Sequence, residues 1–218
     1  SLRAQADRLA YSREMKHLLE STPGLLIRQG EIVEIELSEK GRVVAVVTSI
    51  GERYEVGAVI LATGTYLGGL IHIGEAAILA GPDWSRPSLP LVDCLRRLDV
   101  PLKRFKTGTP PRILRQSIDF SKLEEQPGDD PVTPFSFETT EPLSNRATCY
   151  ITYTNDQTHR IIRENLHRSA MYGGQIEGTG PRYCPSIEDK IVRFSDKPRH
   201  QLFIEPMGLD TDEMYLQG

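Results

Sequence analysis

Near its beginning the chain spaces apolar residues as they would lie on one face of a helix. Charged Arg, Glu and Lys residues separate them, so the two classes fall on opposite sides of a helical turn. Pro23 and Gly24 follow, and both residues end helices. The pattern predicts an amphipathic helix over residues 3–20, with its apolar face formed by Ala6, Leu9, Ala10, Met15, Leu18 and Leu19.

Four short segments that follow this helix have the pattern of β-strands: residues 25–28, 31–37, 42–49 and 58–62. The second and third alternate in places and are joined by the turn-like sequence SEKG, which predicts a hairpin. The fourth, AVILA, is apolar throughout. A strand with both faces covered in a parallel sheet has this composition.

The second half of the chain mixes loops with short regular elements. Gly, Pro and small residues dominate from residue 75 to about 90, and residues 110–146 are irregular, with an acidic segment at 124–130. A short helix is predicted by Leu91, Cys94, Leu95 and Leu98. Beyond it we predict a strand at 149–153, a helix at 155–168, a glycine-rich loop, a helix at 186–194 and a strand at 201–204.

Length and composition narrow the class of protein. The chain has 218 residues, of which 39% are hydrophobic, 26% charged and 7% aromatic, values typical of a globular protein with one large domain or one domain with an insertion. The longest apolar run, residues 58–62, is far below the roughly 18 residues that cross a bilayer, and no leader pattern opens the chain. We therefore expect a soluble, cytoplasmic protein without a membrane segment.

Charge is uneven along the chain. The formal net charge is -4, which excludes a globally basic nucleic-acid coat protein. A basic run between Arg96 and Arg115 nevertheless sets seven positive residues against one acid, Asp99. Such a run suits a phosphate backbone, and an ordinary solvated surface is the alternative, because only Phe105 interleaves an aromatic ring. The candidate residues for contact with a phosphate backbone are Lys103, Arg104, Lys106, Arg112 and Arg115.

Thr63 and Gly64 are candidate residues of a nucleotide-binding site, because they directly follow the apolar segment 58–62. A glycine at the carboxyl end of a parallel strand lets the backbone approach a nucleotide, and the preceding hairpin fits the β-meander of flavoproteins. An ordinary glycine turn is the alternative. No GxGxxG pyrophosphate loop occurs. Either the first strand of a dinucleotide fold lies upstream of Ser1, or the fold is different.

The three cysteines have no CxxC spacing, which argues against a disulfide framework or a zinc ribbon. Cys184 is the candidate nucleophile, because it stands next to Arg182 and just before a helix whose Ser186 and Asp189 resemble a capping box. A helix N-terminus and a guanidinium both favour the thiolate. Cys94 and Cys149 are expected to pack in the core.

The five histidines show no metal-ligand spacing, so no metal site is predicted. His159 and His167 are expected to be two surface residues of one helix.

Several long motifs occur in order along the chain: RAQADR (3–8), IHIG (71–74), KTGTPPRI (106–113), IDFS (118–121), CYITYTN (149–155) and MYGGQIEGTGPRYCPSIEDK (171–190). With them the chain resembles the tRNA uridine 5-carboxymethylaminomethyl modification enzymes, the glucose-inhibited division protein A (MnmG/GidA) family. Family members are longer, with a GxGxxG flavin loop upstream and a helical domain downstream that recruits a GTPase. The resemblance implies an internal fragment.

The fold implied is α/β: a partial FAD-binding Rossmann-like domain, made of a β-meander plus parallel strands, with an inserted α/β domain. We expect residues 1–90 to be part of the FAD-binding domain, residues 91–200 to be the inserted domain with NAD- and tRNA-contacting segments, and residues 201–218 to return toward the FAD-binding domain.

The function implied is that of a flavoprotein in tRNA processing. With FAD, NADH, methylenetetrahydrofolate as one-carbon donor and a tRNA-modification GTPase, such an enzyme adds a carboxymethylaminomethyl group at C5 of the wobble uridine. The family forms a homodimer and, with its GTPase, a heterotetramer; the isolated fragment is expected to be inactive. A non-catalytic module that docks tRNA or a partner is the alternative. An unrelated disulfide-reductase flavoprotein is disfavoured by the lack of CxxC.

The resemblance also assigns residues. With it, the five candidate phosphate-contacting residues of the basic run are expected to contact tRNA. Cys184 matches the catalytic cysteine, whose thiolate would add to C6 of uracil to activate C5. The FAD contacts are Ile32 and Ser88 by motif, joined by Thr63 and Gly64. The stretch matching the NAD site supplies Gly180, Pro181, Arg182, Tyr183, Ser186, Asp189, Lys190, Arg193 and Phe194. The chain departs from the family pattern at Met207, where a glutamate is usual, and within residues 76–85.

Overall fold

The computed structural model describes residues 4–176 and 185–218. Its described helices and strands are, in chain order, α1 (Arg8–Ser21), β1 (Ile32–Leu37), β2 (Val43–Thr48), β3 (Arg53–Glu55), β4 (Leu70–Ile73), β5 (Ala76–Leu79), α2 (Leu89–Arg97), β6 (Arg112–Leu114), β7 (Glu124–Gln126), β8 (Cys149–Tyr153), α3 (Asp156–Glu164), α4 (Ile187–Arg193), β9 (Gln201–Pro206) and β10 (Glu213–Gln217). The mixed α/β class predicted from the sequence is confirmed.

The chain forms two compact units. The first, called unit 1 here, comprises Ser1–Leu26, Thr107–Asn165 and Gly180–Gly218, and unit 2 comprises Ile27–Lys106 and Leu166–Thr179. The predicted limits of the FAD-binding and inserted domains, at residues 90 and 200, stay a prediction.

Unit 2 contains the predicted meander. Strands β1, β2 and β3 pair in sequence order, each antiparallel to the next. The predicted hairpin is confirmed: the turn closes through a 2.8 Å bond from the Ser38 amide to the Arg42 carbonyl oxygen. Gly41 has φ +73°, a left-handed conformation that favours glycine.

Helix α2 packs on this meander through its apolar stripe. The core consists of Ile35 from β1 and Leu91, Cys94 and Leu95 from α2, each at most 6% exposed. The Ile35 amide lies 3.2 Å from the Cys94 sulfur, and burial raises the pKa of the Cys94 thiol. The predicted helix and the core position of Cys94 are confirmed.

Unit 2 also differs from the predictions. Residues 25–28, at the junction of the two units, and residues 58–62 form no strand, and Ile60 is 92% exposed. A strand needs a neighbour that satisfies its backbone groups, and no described strand pairs with 58–62; the pairings in the described part of the chain are antiparallel. The predicted parallel strand was therefore wrong there. In the predicted loop after residue 75, β5 pairs with β4 across Gly74.

Unit 1 is built around a five-stranded antiparallel sheet with the order β6-β10-β9-β8-β7. Strand β8 has the predicted bounds, and β9 is two residues longer than predicted. Strands β6, β7 and β10 were not predicted. Gly218 lies against the side chains of Leu202 and Ile187, so the start of α4 lies close to Leu202 of β9. The buried apolar residues of this unit are Met207, Met214, Ile204 and Ile191.

The helices of unit 1 begin at capping residues that the sequence supplies. The Asp7 carboxylate accepts a 2.8 Å bond from the Ala10 amide at the start of α1, and the Asn155 side chain accepts from the Thr158 amide at the start of α3. Both predicted helices are confirmed, although α1 begins later than residue 3 and α3 ends at Glu164. None of the residues of α1 is buried. Within the described residues no helix has the length and apolar character needed to cross a membrane.

Candidate functional site

Two positions assigned to FAD lie at one cleft of unit 2. The cleft has a volume of ≈ 520 Å³ and is lined by Glu31 and Val33, the neighbours of Ile32, together with Ser88. Ile32 itself begins β1 and packs against the α2 core. Ser88 is the N-cap residue of α2 and has φ +39° and ψ +46°. The structure therefore brings together two positions that the sequence separates by 56 residues.

The cleft is lined by one acidic and one basic side chain, Glu31 and Arg86. The Glu31 carboxylate lies 3.9 Å from the Arg86 guanidinium, whose side chain is 88% exposed. A carboxylate at the end of a strand can accept hydrogen bonds from ribose hydroxyl groups, and an exposed guanidinium can contact phosphate. The donor set at this cleft fits the ribose and phosphate parts of a dinucleotide. Sequence reasoning missed both side chains, since neither belongs to a motif.

The segment before Ser88 has unusual backbone geometry. Asp83 and Trp84 also have positive φ, at +50° and +63°. Such conformations are costly for residues with a side chain and cluster at ligand sites. Trp84 is 62% exposed. This geometry lies within the part of the chain that departs from the family pattern.

Thr63 and Gly64 form a different feature of the same unit. Thr63 is the N-cap of a single 3₁₀ turn over Gly64–Tyr66. Gly64 has φ +53°, and a Cβ placed there would meet no atom within 4 Å. The open space suits a close backbone approach, but neither residue is among those that line the Ser88 cleft.

The candidate nucleophile Cys184 lies outside the described residues, as do Gly180, Pro181, Arg182 and Tyr183. The helix that follows them is described. The Ser186 hydroxyl oxygen accepts a 3.3 Å bond from the Asp189 amide, and the Asp189 carboxylate accepts one of 3.3 Å from the Ser186 amide. The predicted capping box is confirmed, so the N-cap residue of α4 stands two positions after Cys184.

The remaining positions of the NAD stretch lie on α4 and at its end. Arg193 lies 3.6 Å from the Asp189 carboxylate, which is itself 5% exposed. Lys190 is half-buried, and Phe194, the C-cap residue, is 45% exposed.

The five basic residues assigned to tRNA divide between the units. In unit 2, Lys103 and Arg104 are exposed and Lys106 is half-buried, and the Arg104 guanidinium donates a 3.3 Å bond to the Gly68 carbonyl oxygen. In unit 1, the guanidinium of Arg112 lies over the Tyr215 ring and that of Arg115 over the Phe120 ring, at 5.7 Å and 5.2 Å from the centroids.

A buried polar cluster in unit 1 was not predicted. The Thr154 hydroxyl lies 2.7 Å from His159 Nε2 and accepts a 2.8 Å bond from the His200 amide. The two imidazole rings stack with centroids 5.3 Å apart. His159 is 2% exposed, so its assignment to the surface was wrong. His159 precedes Ile162 by three residues and so lies on the same, inner face of α3. Helical spacing in the sequence could therefore have predicted that it is buried. His167 is exposed as predicted.

His200 gives this cluster a pH dependence. Burial lowers the pKa of His200, and the positive potentials of His159, Lys190 and Lys197 lower it further, while Asp196 opposes them. The neutral imidazole is therefore favoured in the folded state. Among the described residues, buried His200 Nε2 has no hydrogen-bond partner.

We expect the protein to lose stability as the pH falls below about 6.5, the ordinary histidine pKa. Below that value the unfolded chain binds a proton that folded His200 resists, so the free energy of unfolding decreases. Melting temperatures measured between about pH 5.5 and 7.5 should depend less on pH in His200→Gln than in the parent. His17→Gln on exposed α1 is the matched control, and an equal flattening there would contradict the assignment.

The architecture defines a class: a mixed α/β protein of two compact units, with an antiparallel meander in one, and a five-stranded antiparallel sheet with helix α4 in the other. Residues 1–218 match the sequence profile of the family described as glucose inhibited division protein A. The chain belongs to that family.

Individual proteins resemble the chain along its whole length. It is 56% identical to the tRNA uridine 5-carboxymethylaminomethyl modification enzyme MnmG of Caldicellulosiruptor saccharolyticus and 53% identical to that of Bacillus subtilis, covering 100% of this chain and 35% of each relative. The structure of Aquifex aeolicus GidA (form I crystal) matches 98% of the chain and is itself covered to 37%, with a TM-score of 0.89 and 50% identity. The chain thus spans about a third of the length of these relatives.

Proposed function

We propose that the protein containing this chain is an FAD- and NADH-dependent enzyme that, with a GTPase partner, adds a carboxymethylaminomethyl group at C5 of the wobble uridine of certain tRNAs. The observation that supports this most strongly is the 56% identity over all 218 residues to a relative named for that modification. Two features are consistent with the proposal: the cleft lined by Ser88 and the neighbours of Ile32, and the capped helix α4 whose N-cap residue follows Cys184 by two positions.

Cys184 is the nucleophile in this proposal. Uracil C5 is a weak nucleophile, and addition of the thiolate to C6 moves an electron pair onto the carbonyl system and makes C5 enolate-like. After a one-carbon unit has bonded to C5, loss of the C5 proton and departure of the thiolate restore the uracil ring. Arg182 and the N-terminus of α4 hold the thiol in its anionic form.

The cofactor assignments rest on the family resemblance, and the cleft of unit 2 is consistent with the one for FAD. When bound, FAD, reduced by NADH, and methylenetetrahydrofolate supply the redox and one-carbon chemistry. Glu31 would accept hydrogen bonds from the ribose of FAD and Arg86 would contact its phosphates, with Val33 and Ser88 lining the cleft on either side of them. Gly64 leaves room for the ligand to approach the backbone. The segment from Gly180 to Phe194 would bind NADH where the loop meets α4.

The partners complete the proposal. Lys103, Arg104, Lys106, Arg112 and Arg115 would contact tRNA phosphates. As in the family resembled, the full-length protein would form a homodimer that binds the GTPase as a heterotetramer in the cytoplasm.

The direct test uses the full-length protein with its GTPase, NADH, methylenetetrahydrofolate, glycine and unmodified tRNA. We expect nucleoside analysis by mass spectrometry to detect the carboxymethylaminomethyl group on the wobble uridine. The same tRNA with cytidine at that position is the control and should stay unmodified. Tight tRNA binding without any modified nucleoside would instead favour the module that only docks tRNA.

A further inference from the structure

A second positive surface lies in unit 1, outside the basic run of residues 96–115. It is formed by Tyr153, Arg163, Phe194, Lys197 and Arg199, and we call it the cation–aromatic surface. The Arg199 guanidinium lies 4.2 Å from the Tyr153 ring centroid, and the Lys197 ammonium lies 5.4 Å from that of Phe194. Both rings are accessible, with exposed fractions of 39% and 45%.

The surface is held by hydrogen bonds to buried groups and to its own backbone. The Thr154 amide donates to the His200 carbonyl oxygen at 2.9 Å, and the His200 amide donates back to the Thr154 hydroxyl. These two buried residues adjoin Tyr153 and Arg199 in sequence, so the exposed pair is fixed in position. The Lys197 amide donates to the Phe194 carbonyl oxygen, and Arg163 donates to that of Ser195 at 3.4 Å.

The charge of this surface favours a polyanion. Residues 163–164 and 194–199 carry three exposed cations, Arg163, Lys197 and Arg199, and two exposed acids, Glu164 and Asp196. Each aromatic ring has two faces, and a cation over one leaves the other for a planar base. Sites that bind single-stranded nucleic acids combine aromatic rings, which stack on bases, with cations, which contact phosphates. The run of residues 96–115 lacks this interleaving, since Phe105 is its only aromatic residue.

We propose that the cation–aromatic surface binds unpaired nucleotides of the tRNA substrate, with Tyr153 stacking a base and Lys197 and Arg199 contacting phosphates. The inference rests on the proposed function, because it takes tRNA to be the substrate. It adds a site that recognises single-stranded RNA to the sites assigned above. Phe194 is the C-cap residue of α4, so the surface lies at the opposite end of that helix from its N-cap residue, Ser186.

The test measures binding of full-length protein to an anticodon stem–loop RNA and to a fully paired RNA duplex of equal length. Tyr153→Leu should bind the stem–loop about 5- to 150-fold more weakly, the range expected when one base no longer stacks, and bind the duplex unchanged. Tyr153→Phe should restore stem–loop binding. Lys197→Gln and Arg199→Gln should each lower the salt dependence of binding by about one unit, as expected when one cation no longer meets a phosphate.

Two matched controls stand on exposed positions elsewhere: Phe137→Leu, whose ring is fully solvated, and Lys40→Gln in the β1–β2 turn. Both should bind the two RNAs as the parent does. If Tyr153→Leu binds the stem–loop as tightly as the parent, the inference fails while the proposed function stands. If Tyr153→Leu instead weakens NADH binding and leaves RNA binding intact, the surface belongs to a dinucleotide and the inference is overturned. A parent protein that binds no stem–loop would count against the proposed function itself.

Discussion

Replacing Cys184 with serine in the full-length enzyme is expected to reduce tRNA modification to background. A serine hydroxyl keeps the size of the thiol but is not ionised near neutral pH, so addition to C6 of the uracil no longer occurs. The capping box of Ser186 and Asp189 is independent of the sulfur, so folding and flavin content should be preserved. Modified nucleosides in tRNA, the flavin absorbance and the melting temperature provide the three measurements.

Cys149→Ala is the matched control, because Cys149 lies half-buried in β8 and has no proposed part in the reaction. It should retain modification. Cys184 could instead serve in reduction of the flavin. Stopped-flow measurement of flavin reduction by NADH distinguishes this role from that of the nucleophile. The nucleophile assignment is wrong if Cys184→Ser slows flavin reduction as severely as it slows modification.

Neutralising the basic run is expected to have the second largest effect. Combined replacement of Lys103, Arg104 and Lys106 by Ala should weaken tRNA binding and lower the slope of log K against log salt. The decrease should be up to about 0.9 for each phosphate that the protein no longer neutralises, three at most. The reason is that fewer counterions are released when fewer cations meet the RNA. Fluorescence titrations at several salt concentrations measure the slope.

The control for this variant is Lys40→Ala with Arg42→Ala, two exposed cations in the β1–β2 turn of the same unit. These should leave the slope unchanged. Arg104 also donates to the Gly68 carbonyl oxygen, so the melting temperature of the triple variant must be measured beside its affinity. An unaltered slope would reduce the run to an ordinary charged surface.

The sequence predicted best those elements whose stability is local. Strands β1 and β2 are adjacent and joined by a short turn, and α4 carries its own capping box in Ser186 and Asp189. The stripe of α2 likewise contains Cys94 at the spacing that buries it. In each case the residues that determine the element lie within a few positions of one another.

Prediction failed where an element depends on distant residues. Strand β6 has three residues, and it pairs with β10 about 100 residues later; no local pattern contains that pairing. Residues 58–62 have the composition of a buried strand, but composition cannot supply a neighbouring strand. His159 was assigned, with His167, to the surface of one helix, although Thr154 hydrogen-bonds to it and the His200 ring stacks on it inside the fold.

The candidate site divides in the same way. The capping box after Cys184 could be predicted from four consecutive positions. The cleft at Ile32 and Ser88 could not, because Glu31 and Arg86 meet only after β1 and α2 have packed. The cation–aromatic surface was missed for a related reason: Arg199 reaches Tyr153 across the β8–β9 pairing.

The strand order of unit 1 has a consequence for biosynthesis. Strand β10 is made last among the described strands, yet it lies between β6 and β9. At roughly 5–20 residues per second, a ribosome needs about 5–20 s to extend the chain from β6 to β10. During that interval β6 has no strand beside it, whereas β1, β2 and α2 can already pack on one another. The meander can therefore form on the ribosome while the five-stranded sheet is still incomplete, and β6 keeps an unpaired edge, which another chain can pair with, until β10 has been made.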